Sequence, residues 1–149
     1  MNKIAIGSDH GGYFLKTEII NDLKEMGYPY YDFGCYDKES VDYPDYAFKV
    51  ARAVAKKEFQ FGILICGTGI GMSIAANKIR GIRAALCHDT FSARMTKEHN
   101  NSNILTMGGR VIGAGLARDI VKTWLSTDFS QESRHKIRLQ KIENDSEIG

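Results

Sequence analysis

The stretch Phe61-Gly62-Ile63-Leu64-Ile65-Cys66-Gly67-Thr68-Gly69-Ile70-Gly71 decides the fold. Its first six residues are apolar almost throughout, as in a strand buried on both faces at the centre of a parallel sheet. Three glycines then turn the chain into a helix that ends near Arg80-Gly81. A buried strand feeding a glycine turn and a helix is one βα unit, and the same alternation runs outward in both directions. Upstream, Lys3 to Gly7 reads as a short strand, followed by a helix with Leu15, Ile19, Leu23 and Met26 on one face and Gly27 at its end. Tyr30 to Phe33 is a second strand, and the polar, turn-rich segment from Gly34 to Pro44 reads as a loop. A helix from about Asp45 to Lys57 carries Tyr46, Val50 and Val54 along one side. Downstream, Ile82 to Cys87 reads as a strand, Thr90 to His99 as a helix and Asn103 to Met107 as the fifth strand. A helix with Leu116, Ile120 and Trp124 follows, then a basic helix from about Gln131 to Glu143. Asn144 to Gly149 reads as a frayed tail.

Five βα units and an extra helix predict the α/β class: a doubly wound parallel sheet with helices on both faces. The 149 residues suit a single domain, 1–149, large enough to bury a core without disulfide or metal. A formal net charge of +2, with basic residues interleaved among acids, gives no reason to expect nucleic acid or a membrane surface as partner. No apolar run approaches the ~18 residues of a membrane span, and the N-terminus lacks a signal-peptide core. Cys35, Cys66 and Cys87 are odd in number and unpaired in spacing, which favours free thiols in a reducing cytoplasm.

In such folds ligands bind outside the carboxyl ends of the strands. Those ends carry Ser8-Asp9-His10-Gly11-Gly12, the Cys66 loop, Cys87-His88-Asp89 and Gly108-Gly109-Arg110, and the fourth helix ends in His99-Asn100-Asn101. Turn chemistry accounts for the glycines but not for a cysteine, two histidines and an arginine beside them. A lone cysteine is most often a core residue. Cys66, however, sits between a buried strand and a helix N-terminus, which stabilises negative charge by about 0.3–2 kcal/mol and so suits a base or nucleophile. Gly67, Gly69 and Gly71 leave backbone N–H groups free to form an anion nest for a phosphate or an oxyanion. Gly71 is followed by Met72-Ser73, which is not a P-loop, and G-x-G-x-G is not a dinucleotide fingerprint, although Asp89 stands near the distance of a ribose-binding acid. Arg134 and Arg138, four apart, share a helix face and form either a solvated basic face or a phosphate clamp. His99 sits at a helix C-terminus, where a protonated imidazole is favoured and a surface capping role is the plain reading, and no histidine pair has metal-ligand spacing.

Taken together, Asp9-His10-Gly11, Asp42-Tyr43-Pro44, Cys66-Gly-Thr-Gly-Ile-Gly71, Ser73-Ile-Ala-Ala-Asn-Lys78, His99-Asn100 and Arg134-His135 resemble the type B ribose-5-phosphate isomerases and the related galactose-6-phosphate isomerase subunits. The resemblance covers nearly the whole chain in order. It implies a Rossmann-like three-layer α/β/α sandwich with a five-stranded parallel sheet and an extra C-terminal helix. It further implies a homodimer or tetramer with sites at subunit interfaces, no metal or organic cofactor, and a sugar-phosphate substrate in the pentose phosphate pathway.

By the same resemblance Cys66 would move the proton between C2 and C1. The backbone of Gly67, Gly69, Ile70 and Gly71, with the Thr68 hydroxyl, would hold the enediolate oxygen. His99 would assist ring opening, Asp9 would orient sugar hydroxyls and Asn100 would contact the sugar. His10, Arg110, Arg134 and Arg138 would hold the phosphate, some of them from a partner chain, and Tyr43 would wall the pocket. Six-carbon sugar phosphates such as allose 6-phosphate or galactose 6-phosphate are alternative substrates of the same chemistry. A non-catalytic nucleotide- or sugar-phosphate-binding module is the alternative of another class. His88 receives no role; His135, beside the arginine pair, either contacts sugar hydroxyls or is solvated, and Cys87 lies either near the site or in the core.

Overall fold

The computed structural model describes residues 3–145. Five parallel strands form one sheet: β1 (Ile4–Ser8), β2 (Tyr30–Asp32), β3 (Phe61–Cys66), β4 (Ala84–Leu86) and β5 (Ile104–Gly108). They lie in the order β2-β1-β3-β5-β4, so β3 is central, as its unbroken apolar run requires. Ile4 pairs with Phe61 and Ser8 with Ile65, while Cys66 pairs with Gly108. The carboxyl ends of β1, β3 and β5 therefore stand side by side.

Alternate residues of each strand feed opposite cores. Ile63 and Ile65 join Leu105 and Met107 beneath Leu15, Ile19 and Leu23 of α1 (Tyr13–Met26), Ala93 of α4 (Thr90–Asn100), and Ile120 and Trp124 of α5 (Ala114–Ser126). Leu64 and Cys66 join Ala5 and Ile104 against Val50 and Val54 of α2 (Tyr43–Ala55) and Met72 of α3 (Ile70–Ala76). The result is the expected Rossmann-like α/β/α sandwich. The Trp124 indole N–H donates to Ser102 Oγ at 2.9 Å, so the largest core side chain carries no unpaired donor.

Several sequence boundaries shift for local reasons. Helix α2 starts at Tyr43 rather than Asp45, because Pro44 falls in its first turn, where a missing N–H costs nothing. Gly27 ends α1 at φ +79°, as expected. Leu116 does not line the core; it is exposed, and Ala117, Ile120, Val121 and Trp124 form the buried stripe. Helix α6 spans Ser133–Glu143. The expected tail begins later than Asn144, whose N–H closes the last turn on the Gln140 carbonyl; the rest of that expectation, from 146 to 149, lies outside the described residues. Among the described residues no helix is long and apolar enough to cross a membrane.

Candidate active site

Cys66 is the last residue of β3, and its side chain is 5% exposed. The backbone then turns through Gly67-Thr68-Gly69 so that the Gly69 N–H points back at Cys66 Sγ, 3.1 Å away. The Ile70 N–H meets Thr68 Oγ1 at 3.2 Å. Gly69 holds φ +79°, and a methyl group on it would lie 2.7 Å from the Met107 carbonyl carbon. Only glycine satisfies both conditions. The loop is tied to β5 as well, through Gly109 N–H to the Cys66 carbonyl at 2.8 Å and Arg110 N–H to the Gly67 carbonyl at 3.0 Å.

The neighbouring strand ends converge on this loop. Asp9 is buried, and its Oδ1 accepts the Gly12 N–H at 3.1 Å, capping the single 3-10 turn His10–Gly12. His10 Nδ1 accepts the Val41 N–H at 3.2 Å, so the ring proton sits on Nε2. The Val41 contact was not legible in the sequence, because a 31-residue separation carries no local signal. The Arg110 guanidinium lies against Gly67, where a methyl group would stand 3.3 Å from Nη1. The Tyr43 ring lies against Gly71, where a methyl group would stand 2.5 Å from Cε1. Asp9, His10, Tyr43, Cys66, Thr68, the three glycines and Arg110 thus form one cluster. It sits where the strand order reverses between β1 and β3, the general ligand position of such sheets.

His99 and Asn100 are not part of it. Helix α4 leaves the carboxyl end of β4 and runs back about 16 Å along the sheet. It ends at Asn101, which holds φ +44° as a left-handed cap. Arg83, just before β4, donates its Nε–H to the Asn100 and Asn101 carbonyls at 3.1 Å, and Asn103 leads into β5. His99 and Asn100 therefore stand at the amino edge of the sheet, about 13 Å of strand away from the Cys66 edge. The expectation that all these segments gather at the strand carboxyl ends is corrected on this point: a helix that follows a strand must end at the sheet's other edge.

Helix α6 joins His99 there. His135 is buried and stacks on His99, with ring centroids 4.3 Å apart and planes 15° from parallel. Arg134 reaches His135 Nε2 through its Nε–H at 3.4 Å and pairs with Glu132 at 3.1 Å. Burial, with His99, Arg134 and Arg138 as positive neighbours, holds the His135 imidazole below its ordinary range. Arg134 and Arg138 are exposed. An apolar groove of about 370 Å³ opens on this side, between α6 and the start of β4, with Asn100 on its wall. Cys87 belongs to the core: burial pushes its thiol up to about 11, which leaves it un-ionised at neutral pH.

A family model described as Ribose/Galactose Isomerase matches residues 4–142. The chain belongs to this family. It is thereby an enzyme of the aldose–ketose sugar-phosphate isomerase class. Among its relatives, ribose-5-phosphate isomerase B of Escherichia coli is 49% identical over 142 residues, covering 95% of each chain. A D-erythrulose-4-phosphate isomerase of Pectobacterium atrosepticum is 46% identical over 131 residues, covering 87% of this chain and 86% of its own. The solved structure of Clostridium thermocellum ribose-5-phosphate isomerase B superposes with a TM-score of 0.93 at 57% identity, covering 95% of each chain. Within this isomerase the family's motif residues fall into two groups on opposite edges of one sheet.

Proposed function

We propose that the chain interconverts ribose 5-phosphate and ribulose 5-phosphate through an enediolate, at sites completed by a second copy of itself. The observation that carries the reading is the buried Cys66 thiol with a backbone N–H aimed at its sulfur. The C2 proton of an open-chain aldose is weakly acidic, so its removal needs a positioned base and a place for charge on the carbonyl oxygen. Cys66, as thiolate, takes the C2 proton and leaves an enediolate whose O1 carries the charge. The N–H groups of the Gly67–Gly71 turn and the Thr68 hydroxyl stabilise that oxygen. The O2 proton moves to O1, and the Cys66 thiol returns its proton to C1, giving the ketose. Asp9 orients hydroxyls, and Tyr43 walls the pocket.

His99, Asn100, Arg134 and Arg138 belong to the same reaction only if they come from another copy, because the sheet separates them from Cys66 within one chain. His99 of that copy assists ring opening. Its two arginines, with His10 and Arg110, hold the phosphate, whose binding energy orients the reacting end. A homodimer is the smallest assembly that supplies both halves, and two-fold symmetry supplies each half twice.

Ribose 5-phosphate is favoured over six-carbon sugars because relatives at 49% and 57% identity carry that name. The four-carbon relative makes tetrose 4-phosphates the next substrates to try. The test is ribulose 5-phosphate formation from ribose 5-phosphate by purified protein with EDTA present. Wild type should turn over, and Cys66→Ala should lose about 10²–10⁴-fold in kcat, the range of a general base. Turnover that survives the substitution would remove Cys66 as the base; a folded wild type active only on other sugar phosphates would remove the substrate.

A further inference from the structure

We propose that His88 is a positioning residue for the oxyanion nest, acting through the backbone of Gly108. Strand β4 pairs with β5 only as far as Leu86 and Thr106, with Cys87 N–H donating to the Thr106 carbonyl at 3.2 Å. Beyond this the chain leaves for α4, and the next N–H that β5 turns toward β4, that of Gly108, has no strand to meet. His88 supplies the missing acceptor: its Nε2 takes the Gly108 N–H at 3.0 Å. The imidazole is therefore the Nδ1–H tautomer, with Nε2 as a lone-pair acceptor. Asp89 fixes the turn that presents it, capping α4 through the Ser92 N–H at 2.6 Å and the Ser92 hydroxyl at 2.9 Å.

Gly108 is where the nest rests. A methyl group on Gly108 would lie 2.8 Å from the Thr68 Cα, carbonyl carbon and carbonyl oxygen, so the two backbones touch with no side chain between them. One residue back, Met107 stands in the same relation to Gly69. Gly108 also pairs with Cys66 across the sheet. A shift of the β5 end therefore passes directly to the Thr68-Gly69 backbone, whose N–H at Gly69 faces Cys66 Sγ. Contacts this close transmit displacement rather than absorb it, and sub-ångström errors at an oxyanion site are costly. The hydrogen bond joins residues 20 apart in sequence.

The catalytic consequence rests on the isomerase reading of the Cys66 loop, so the test pairs kinetics with a measurement that needs no turnover. His88→Gln places an amide oxygen, also four bonds from Cα, where Nε2 stood; His88→Leu fills similar space with no acceptor. In His88→Leu, kcat on ribose 5-phosphate should fall about 10–100-fold with KM changed less than about threefold, because the transition-state oxygen loses its alignment while the phosphate grip stays. His88→Gln should recover to within about threefold of wild type. Amide hydrogen exchange of ligand-free protein should quicken at Gly108, Thr68 and Gly69 in His88→Leu and return toward wild type in His88→Gln. If wild type turns over no sugar phosphate, the functional reading fails and exchange alone decides the positioning role. Unchanged exchange at Thr68 and Gly69 in His88→Leu overturns the proposal. So do equal losses in both variants, or a loss confined to KM.

Discussion

His135 stacks face to face on His99, 4.3 Å between ring centroids, and this contact pins helix α6 to the end of helix α4. The basic helix is thus held to the body of the protein through a buried side chain. His99, Asn100 and the Arg134 and Arg138 pair are assembled on one edge of the sheet, Cys66 and its nest on the other. In the proposed reaction, neither edge alone holds all the groups required.

The stack carries a pH signature. Burial and positive neighbours depress the His135 imidazole below its unfolded value of 6.5. A depressed histidine leaves stability intact above that value, where both states are neutral, and costs stability as pH falls through the folded value. Wild type should therefore lose thermal stability more steeply than His135→Phe as pH is lowered below 6.5. Parallel melting curves across this window would argue that His135 titrates normally.

Lys97 has a consequence of the same sign at high pH. It is buried on α4, with Nζ 3.6 Å from the Phe61 ring centroid and 4.7 Å from that of Trp124. Desolvation lowers its ammonium to about 8, although Asp128 pulls the other way. Between about 8 and the unfolded value of 10.5 the unfolded chain binds the extra proton, so stability rises with pH through that window, by on the order of 2–3 kcal/mol from this group. Lys97→Met should raise the melting temperature at pH 7 and abolish this rise. A lower melting temperature for Lys97→Met would mean that the cation–aromatic contacts outweigh the burial cost.

Two glycines of the nest should fail in different ways. Gly69→Ala puts a methyl group against the Met107 backbone at a φ of +79°, so the backbone itself must shift. It should cost about 1–3 kcal/mol of stability along with activity. Gly71→Ala first meets the Tyr43 ring, a side chain on a residue 39% exposed. Its melting temperature should hold within a few degrees while KM rises. Denaturant melts and Michaelis–Menten curves separate the two, and equal stability loss at both positions would contradict the stated contacts.

Much of this was legible in the sequence. The apolar run Phe61–Cys66 and the regular βα alternation gave the class and the central strand, because burial on both faces leaves no room for polar residues. Asp9, Cys66 and Arg110 could be placed together because each lies at or just past the carboxyl end of a strand of one parallel sheet. The position of His99 does not show in its local composition; it follows from where a helix returning antiparallel to its strand must end. Gly108 and His88, Val41 and His10, and His99 and His135 meet through side chains whose spacing follows no period. Only the packed fold reveals those pairs. Leu116 fell on the apolar stripe by count, yet one residue of rotation put Ala117 inside instead.

The central claim is that one catalytic site draws Cys66 from one chain and His99 from another, and subunit complementation tests it most directly. Cys66→Ala and His99→Ala chains, each impaired alone, would be co-expressed with different tags and the mixed dimers assayed on ribose 5-phosphate. A site shared between chains leaves each mixed dimer one intact site and one doubly defective site. The mixed dimers, separated by their two tags, should then recover about half of wild-type activity, well above the sum of the parents. Activity no greater than that sum, in dimers shown to be mixed, would contradict the account and return both residues to a single chain.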